Sequence, residues 1–137
     1  MSELTVKADA NKLNEVLDFV DEQLDQAGCE LKIKLKIDIA VEELFVNIAN
    51  YAYKGIVGNA TICMDITPDP LKATITFIDN GTPFNPLKKP DPDITLIAEK
   101  RAIGGLGIYM VKKSMDEVLY EYAGGENRLT IKKKLLA

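Results

Sequence analysis

The sequence predicts an α+β domain: a two-layer sandwich with helices on one face of a mixed, mostly antiparallel sheet. Three observations predict it. Two long early segments carry apolar residues at three- and four-residue steps, the mark of helices with one buried side. Two later pairs of short runs, rich in Ile and Thr or in Tyr, Val and Leu, are each joined through a compact turn, as hairpins are. Helices and strands are thus segregated, without the regular alternation of βαβ units.

Taken in order, Leu4 to Ala8 alternates enough for a short first strand. Asp9 or Ala10 opens a helix over Asn11 to Ala27, with Leu13, Val16, Leu17, Val20 and Leu24 facing inward. Gly28 stops it, as a residue just past a helix end does. A second helix starts near Leu31 to Leu35 and includes Ile37 to Lys54, IDIAVEELFVNIANYAYK. Lys54-Gly55 and Gly58-Asn59 break it. Ala60 to Thr67 and Leu71 to Asp79 read as strands joined through Pro68-Asp69-Pro70. Asn80 to Pro92 is an irregular, proline-rich loop, and a helical turn is expected over Thr95 to Lys100. Gly104-Gly105-Leu106-Gly107 opens a helix over Ile108 to Ser114. Glu117 to Ala123 and Arg128 to Leu135 pair around Gly124-Gly125.

Composition narrows the class. A chain of 137 residues reads as one domain, 1–137, able to bury roughly two-thirds of the surface its unfolded form exposes. The net charge of −4, with Lys and Arg spread along the chain, argues against a nucleic-acid binder. The sequence has no histidine, so the usual imidazole base and the commonest zinc ligand are missing. Cys29 and Cys63 stand far apart, outside any metal or redox spacing, and are expected as reduced thiols. No apolar run approaches a membrane span, and the first residues lack a signal-peptide core, so a cytoplasmic location is expected.

Three stretches carry chemistry. On the second helix Glu43, Asn47 and Asn50 follow at steps of four and three, on one line of a cylinder that is otherwise mostly apolar. Such a stripe is either a narrow solvated face or a site, because a carboxylate and two amides beside apolar surface need water, a partner or a ligand. Ile75 to Phe84, ITFIDNGTPF, is a strand ending in Asp79, with Gly81 two residues on. It reads as an Asp-Asn-Gly turn, or as a carboxylate that accepts from an exocyclic amine with Gly81 letting a flat ring approach. Gly104, Gly105 and Gly107 form either a hinge or a loop whose backbone N–H groups face an anion at a helix start. The pattern is neither a Walker loop nor a Rossmann fingerprint.

The order of these pieces resembles the ATP-binding domain of the Bergerat-fold (GHKL) ATPase/kinase superfamily, shared by gyrase, heat-shock chaperones and histidine kinases. Within it EELFVNIANYAYK, DNGTPFNP and GGLGIYMVKKSMDEVLY are similar to the anti-sigma factor serine/threonine kinases. The resemblance covers nearly the whole chain. It implies ATP and Mg2+ as cofactors, with Asn47 as the magnesium-holding amide and Glu43 as the carboxylate that takes the proton of the attacking hydroxyl. It implies Asp79, Gly81 and Thr130 at the adenine, and Gly104, Gly105, Leu106 and Gly107 around the phosphates. An ATP lid is expected at about 85–103, with Lys100 and Arg101 as candidate phosphate contacts. The sequence departs from the family where Ile103 stands in place of an arginine before the glycine loop.

The resemblance implies a kinase that phosphorylates a serine or threonine of an anti-sigma-factor-antagonist-type protein and sequesters a sigma factor or similar regulator. A homodimer is compatible with it; direct contact with nucleic acid or membrane is not expected. A nucleotide-gated binding module without phosphotransfer is the alternative, and a scaffold with a degenerate nucleotide site is a third.

Overall fold

The computed structural model describes residues 1–88 and 105–137. Five strands form one sheet in the order β1-β2-β3-β5-β4. They are β1 (Ser2–Lys7), β2 (Asn59–Thr67), β3 (Lys72–Asp79), β4 (Glu117–Ala123) and β5 (Glu126–Lys134). Every pairing among the described residues is antiparallel, so the parallel component that a mixed sheet would contain is not found in them. The helices are α1 (Leu13–Gln26), α2 (Leu31–Tyr51) and α3 (Gly105–Ser114).

Local chemistry accounts for the boundaries. Asp9 caps a short 3-10 turn at Ala10–Lys12 by accepting from the Asn11 amide at 3.0 Å, and α1 continues from it. The β1 strand starts earlier than its alternation suggests because Ser2 is already in register with Met64 of β2. The second helix ends at Tyr51, short of the expected Lys54. Just beyond it, the carbonyl of Ala52 accepts from the Thr82 amide at 3.1 Å. Tyr53 holds the same region: its hydroxyl donates to the Asn59 carbonyl at 2.6 Å and accepts from the Asn80 amide at 2.7 Å. The β4–β5 turn is the two residues Gly124 and Gly125, whose φ angles of 61° and 78° suit a tight hairpin that most side chains would strain.

The core lies between the sheet and the helical layer. Burial alternates along β3, with Ala73, Ile75, Phe77 and Asp79 all turned inward. Val16, Val20 and Leu24 of α1 and Ile37, Val41, Leu44 and Phe45 of α2 meet that face. The two helices therefore present the apolar sides their spacing predicted. Of the expected lid, 86–88 forms a 3-10 turn, Pro86–Lys88. Residues 89–103 of it, with Lys100, Arg101 and the helical turn expected over 95–100, lie outside the described residues, as does Gly104.

Candidate functional site

The α2 helix brings two polar side chains to one flank. Burying Ile37, Val41, Leu44 and Phe45 fixes its rotation about its own axis, which leaves Glu43 and Asn47 half-buried at the edge of the core. The Asn47 amide nitrogen lies 3.4 Å from Glu43 Oε1, a long and weak hydrogen bond. With the nitrogen turned to Glu43, the Asn47 carbonyl oxygen is the end available to a cation or water. Burial pushes the Glu43 carboxyl above the usual glutamate range, against the opposing effect of the Asn47 contact. The α3 helix packs beside this pair. A Cβ on Gly107 would overlap the Glu43 carboxylate as it is placed here, so α3 approaches that carboxylate closely at this glycine.

Asp79 closes the other end. It is the last residue of β3 and is buried, as is its cross-strand partner Asn127 of β5. Its Oδ1 accepts from the Gly81 amide at 2.9 Å and from Asn127 Nδ2 at 2.9 Å. Asn127 also donates to the Thr82 carbonyl at 3.0 Å and accepts at Oδ1 from the Phe84 amide at 3.1 Å and from the Tyr120 hydroxyl. Burial raises the Tyr120 pKa, keeping it a neutral donor.

Between the two ends lies a cavity of about 400 Å³. Leu44, Ile48, Phe77, Ile108 and Leu129 line it with apolar surface, while Asn47, Asp79 and Asn127 contribute polar groups. Apolar walls with a few convergent polar groups suit a flat heterocycle carrying a polar tail. An adenine nucleotide fits this donor set: Asp79 can accept from an amino group, and Asn47 offers a neutral oxygen suited to a hard cation. Among the described residues no three acidic or thiol side chains cluster as a metal site. Magnesium at Asn47 would commonly keep water and nucleotide oxygens as further ligands.

The sequence-predicted residues are not all brought together. Asn47 and Asp79 line the cavity, joined by Asn50 and Tyr51. Glu43 sits behind Asn47, against Gly107. Gly105 and Leu106 begin α3, one turn from Ile108 in the cavity wall. At Gly81 a Cβ would overlap the backbone carbonyl oxygen of Ala52, just past the end of α2. Thr130 is not brought to the site. It is in register with Thr76 and shares a 3.0 Å hydroxyl–hydroxyl contact with it, whereas Asp79 is in register with Asn127. Side chains alternate along β5, so inward-facing Asn127, Leu129 and Ile131 leave Thr130 on the opposite sheet face.

Asn127 was missed because the strand was expected to begin at Arg128. Had the alternation of Leu129 and Ile131 been carried back two residues, it would have shown a polar residue on the core face. Tyr120 and the bonding role of Tyr53 had no local signal, since both act across the fold.

Comparison with known proteins accords with this arrangement. Residues 6–133 match the histidine kinase-like ATPase domain. The serine-protein kinase RsbW of Bacillus mycoides is 39% identical over 84 residues, which is 58% of this chain and 51% of that protein. RsbW of Listeria monocytogenes is 31% identical over 105 residues, 73% of this chain and 66% of that protein. The chain thus spans about half the length of the Bacillus relative. Among solved structures, the RsbU and RsbW domains of Rv1364c from Mycobacterium tuberculosis align with a TM-score of 0.63 at 16% identity, covering 98% of this chain and 33% of that one. The Acinetobacter baumannii histidine kinase AdeS aligns with a TM-score of 0.52 at 14% identity, covering 98% and 69%. At such identities the two structures show a shared fold alone. The domain match takes in all of the chain but its ends, and the chain belongs to the histidine kinase-like ATPase domain family.

Proposed function

We propose that the chain binds ATP with Mg2+ and transfers a phosphoryl group to a serine or threonine of a protein of the anti-sigma-factor-antagonist type. In the same reading it sequesters a sigma factor or similar regulator when that protein is not available. The observation that carries the proposal is the Glu43–Asn47 pair set against Gly107 near the start of α3, with Asp79 at the far end of the adjoining cavity. The RsbW relatives, named serine-protein kinases, support it.

Each residue has a definite task in this reading. Asp79 orients the base by accepting from its amino group, and the apolar walls exclude water from the ring. Asn47 holds the cation through its amide oxygen. Glu43 accepts the proton of the attacking hydroxyl, and its raised pKa suits a base that must hold a proton at the moment of transfer. The Mg2+–nucleotide supplies the transferable group and part of the charge neutralisation. Phosphoryl transfer depends mainly on positioning and charge stabilisation, so a site without histidine is chemically sufficient.

Incubation of the chain with γ-labelled ATP and a purified candidate partner tests the proposal, with label expected on a partner serine or threonine. Tight ATP binding with no transfer to a partner shown to bind the chain would sink the kinase reading. It would favour a nucleotide-gated binding module, the reading that Ile103 supports by departing from the arginine the family resemblance often implies before the glycine loop.

A further inference from the structure

We infer that Asn127 is a positioning residue that makes the Asp79 end of the cavity selective for a purine bearing a ring amino group. The inference rests on the nucleotide-binding reading above and assigns the control of its base specificity to a second side chain. A primary amide has two N–H donors and two acceptor lone pairs. Asn127 commits both ends inside the protein. Its nitrogen faces Asp79 Oδ1 at 2.9 Å and the Thr82 carbonyl at 3.0 Å, with a longer approach to the Gly81 carbonyl at 3.4 Å. Its oxygen receives the Phe84 amide at 3.1 Å and the Tyr120 hydroxyl. Turning the amide over would set nitrogen against the Phe84 N–H donor and oxygen against a carboxylate and a carbonyl. Only one orientation is therefore stable in this buried position.

The consequence falls on Asp79. Its Oδ1 already accepts from the Gly81 amide at 2.9 Å, and the Asn127 donor adds a second bond to the same oxygen. Two donors on Oδ1 hold the carboxylate plane still, and both are spent on that one atom. Oδ2 becomes the oxygen that meets a ligand, as a pure acceptor at a fixed angle. An acceptor in that place rewards an amino group and opposes a carbonyl. Asn127, being saturated, does not read the base itself. It acts through Asp79, and through the backbone of residues 81–84 that it holds in place.

The test compares Asn127→Thr with Asn127→Val. The two replacements have nearly the same shape and both suit a strand, but only threonine keeps a donor. Calorimetry with Mg2+ measures affinity for ATP and for purine riboside triphosphate, which lacks the amino group. The ratio of the two affinities is a readout that a merely structural role would not move. Asn127→Val should lower the ratio about tenfold, the scale of one hydrogen bond to a charged group, while Asn127→Thr retains most of it. If Asn127→Val does not fold, Tyr120→Phe is read instead. It keeps the ring but removes one donor holding the Asn127 oxygen, and should lower the ratio roughly two- to fivefold. A ratio unchanged from wild type in the folded variants, with affinity for both nucleotides falling together, overturns the inference alone. Wild-type protein that binds neither nucleotide overturns the nucleotide reading and this inference with it.

Discussion

At the scale of single residues, Glu43 and Asn47 share a contact but carry separable tasks. Glu43→Gln keeps the size and the hydrogen-bonding reach of the side chain but cannot take up a proton. ATP affinity should persist, and phosphoryl transfer to the partner should fall by about 10²–10⁴-fold. Paired calorimetry and transfer assays check this, and loss of both together would place Glu43 in binding instead. The active form of Glu43 is the ionised one, so transfer should rise with pH through its pKa. Burial places that limb above the ordinary glutamate value of 4.5, which a pH profile of kcat/KM reads directly. Asn47→Ala should do the opposite of Glu43→Gln. It removes the cation-facing oxygen, so Mg2+-dependent ATP affinity should drop while the unfolding midpoint changes little. Equal affinities for wild type and variant, in excess magnesium, would exclude Asn47 as the cation ligand.

At the scale of elements, the α1–α2 contact contains a pair of carboxyls whose charge state matters. Asp21 of α1 and Asp38 of α2 each place Oδ1 out of reach of water with no donor to meet it. A proton on Asp38 resolves this, because the carboxylic acid can donate to Asp21. Burial first, then the hydrogen bond and charge of Asp21, push Asp38 up to about 7; Lys34 opposes the shift, and Asp25 adds to it. Lys34 is itself engaged by Asp25 at 2.9 Å. The sign follows from linkage: the folded state binds this proton more tightly than the unfolded chain. Stability contributed here is therefore full at low pH and is lost as pH rises from the ordinary aspartate value of 3.8 to about 7. Asp38→Asn supplies a permanent donor to Asp21. It should raise the urea midpoint at pH 8 and flatten the difference between pH 5.5 and pH 8. A variant as pH-sensitive as wild type would show that the pair does not control this contact.

At the scale of the whole molecule, one core serves both stability and the site. Phe45 is fully buried among the largest core side chains, on the helix that carries Glu43 and Asn47. Phe45→Ala should cost about 3–5 kcal/mol, through lost burial and the cavity left behind. That is a large share of the 5–15 kcal/mol typical of a domain. Chemical denaturation should show a midpoint shift of that size, and a loss under about 1 kcal/mol would mean that the helix is not anchored there. A helix seated less firmly would also misplace Glu43 against Gly107, so nucleotide affinity should fall in the same variant.

The sequence by itself determined the α+β class, the two long helices, both hairpins and the Glu43–Asn47 line. These rest on local rules: apolar spacing sets which side of a helix is buried, and the side opposite or beside it follows. Asp79 was legible for the same reason, as the end of a strand with an alternating pattern. What the local pattern could not decide was which residues meet across strands. The β3–β5 register sets Asn127, not Thr130, beside Asp79, and a shift of one residue in a strand exchanges its two faces. Likewise Gly81 and Gly107 stand in the sequence without their neighbours, and the atoms that approach them, the Ala52 carbonyl just past α2 and the Glu43 carboxylate on it, come from elsewhere in the chain. Register and close approach arise from contacts between residues distant in the chain, and only the packed structure specifies those contacts.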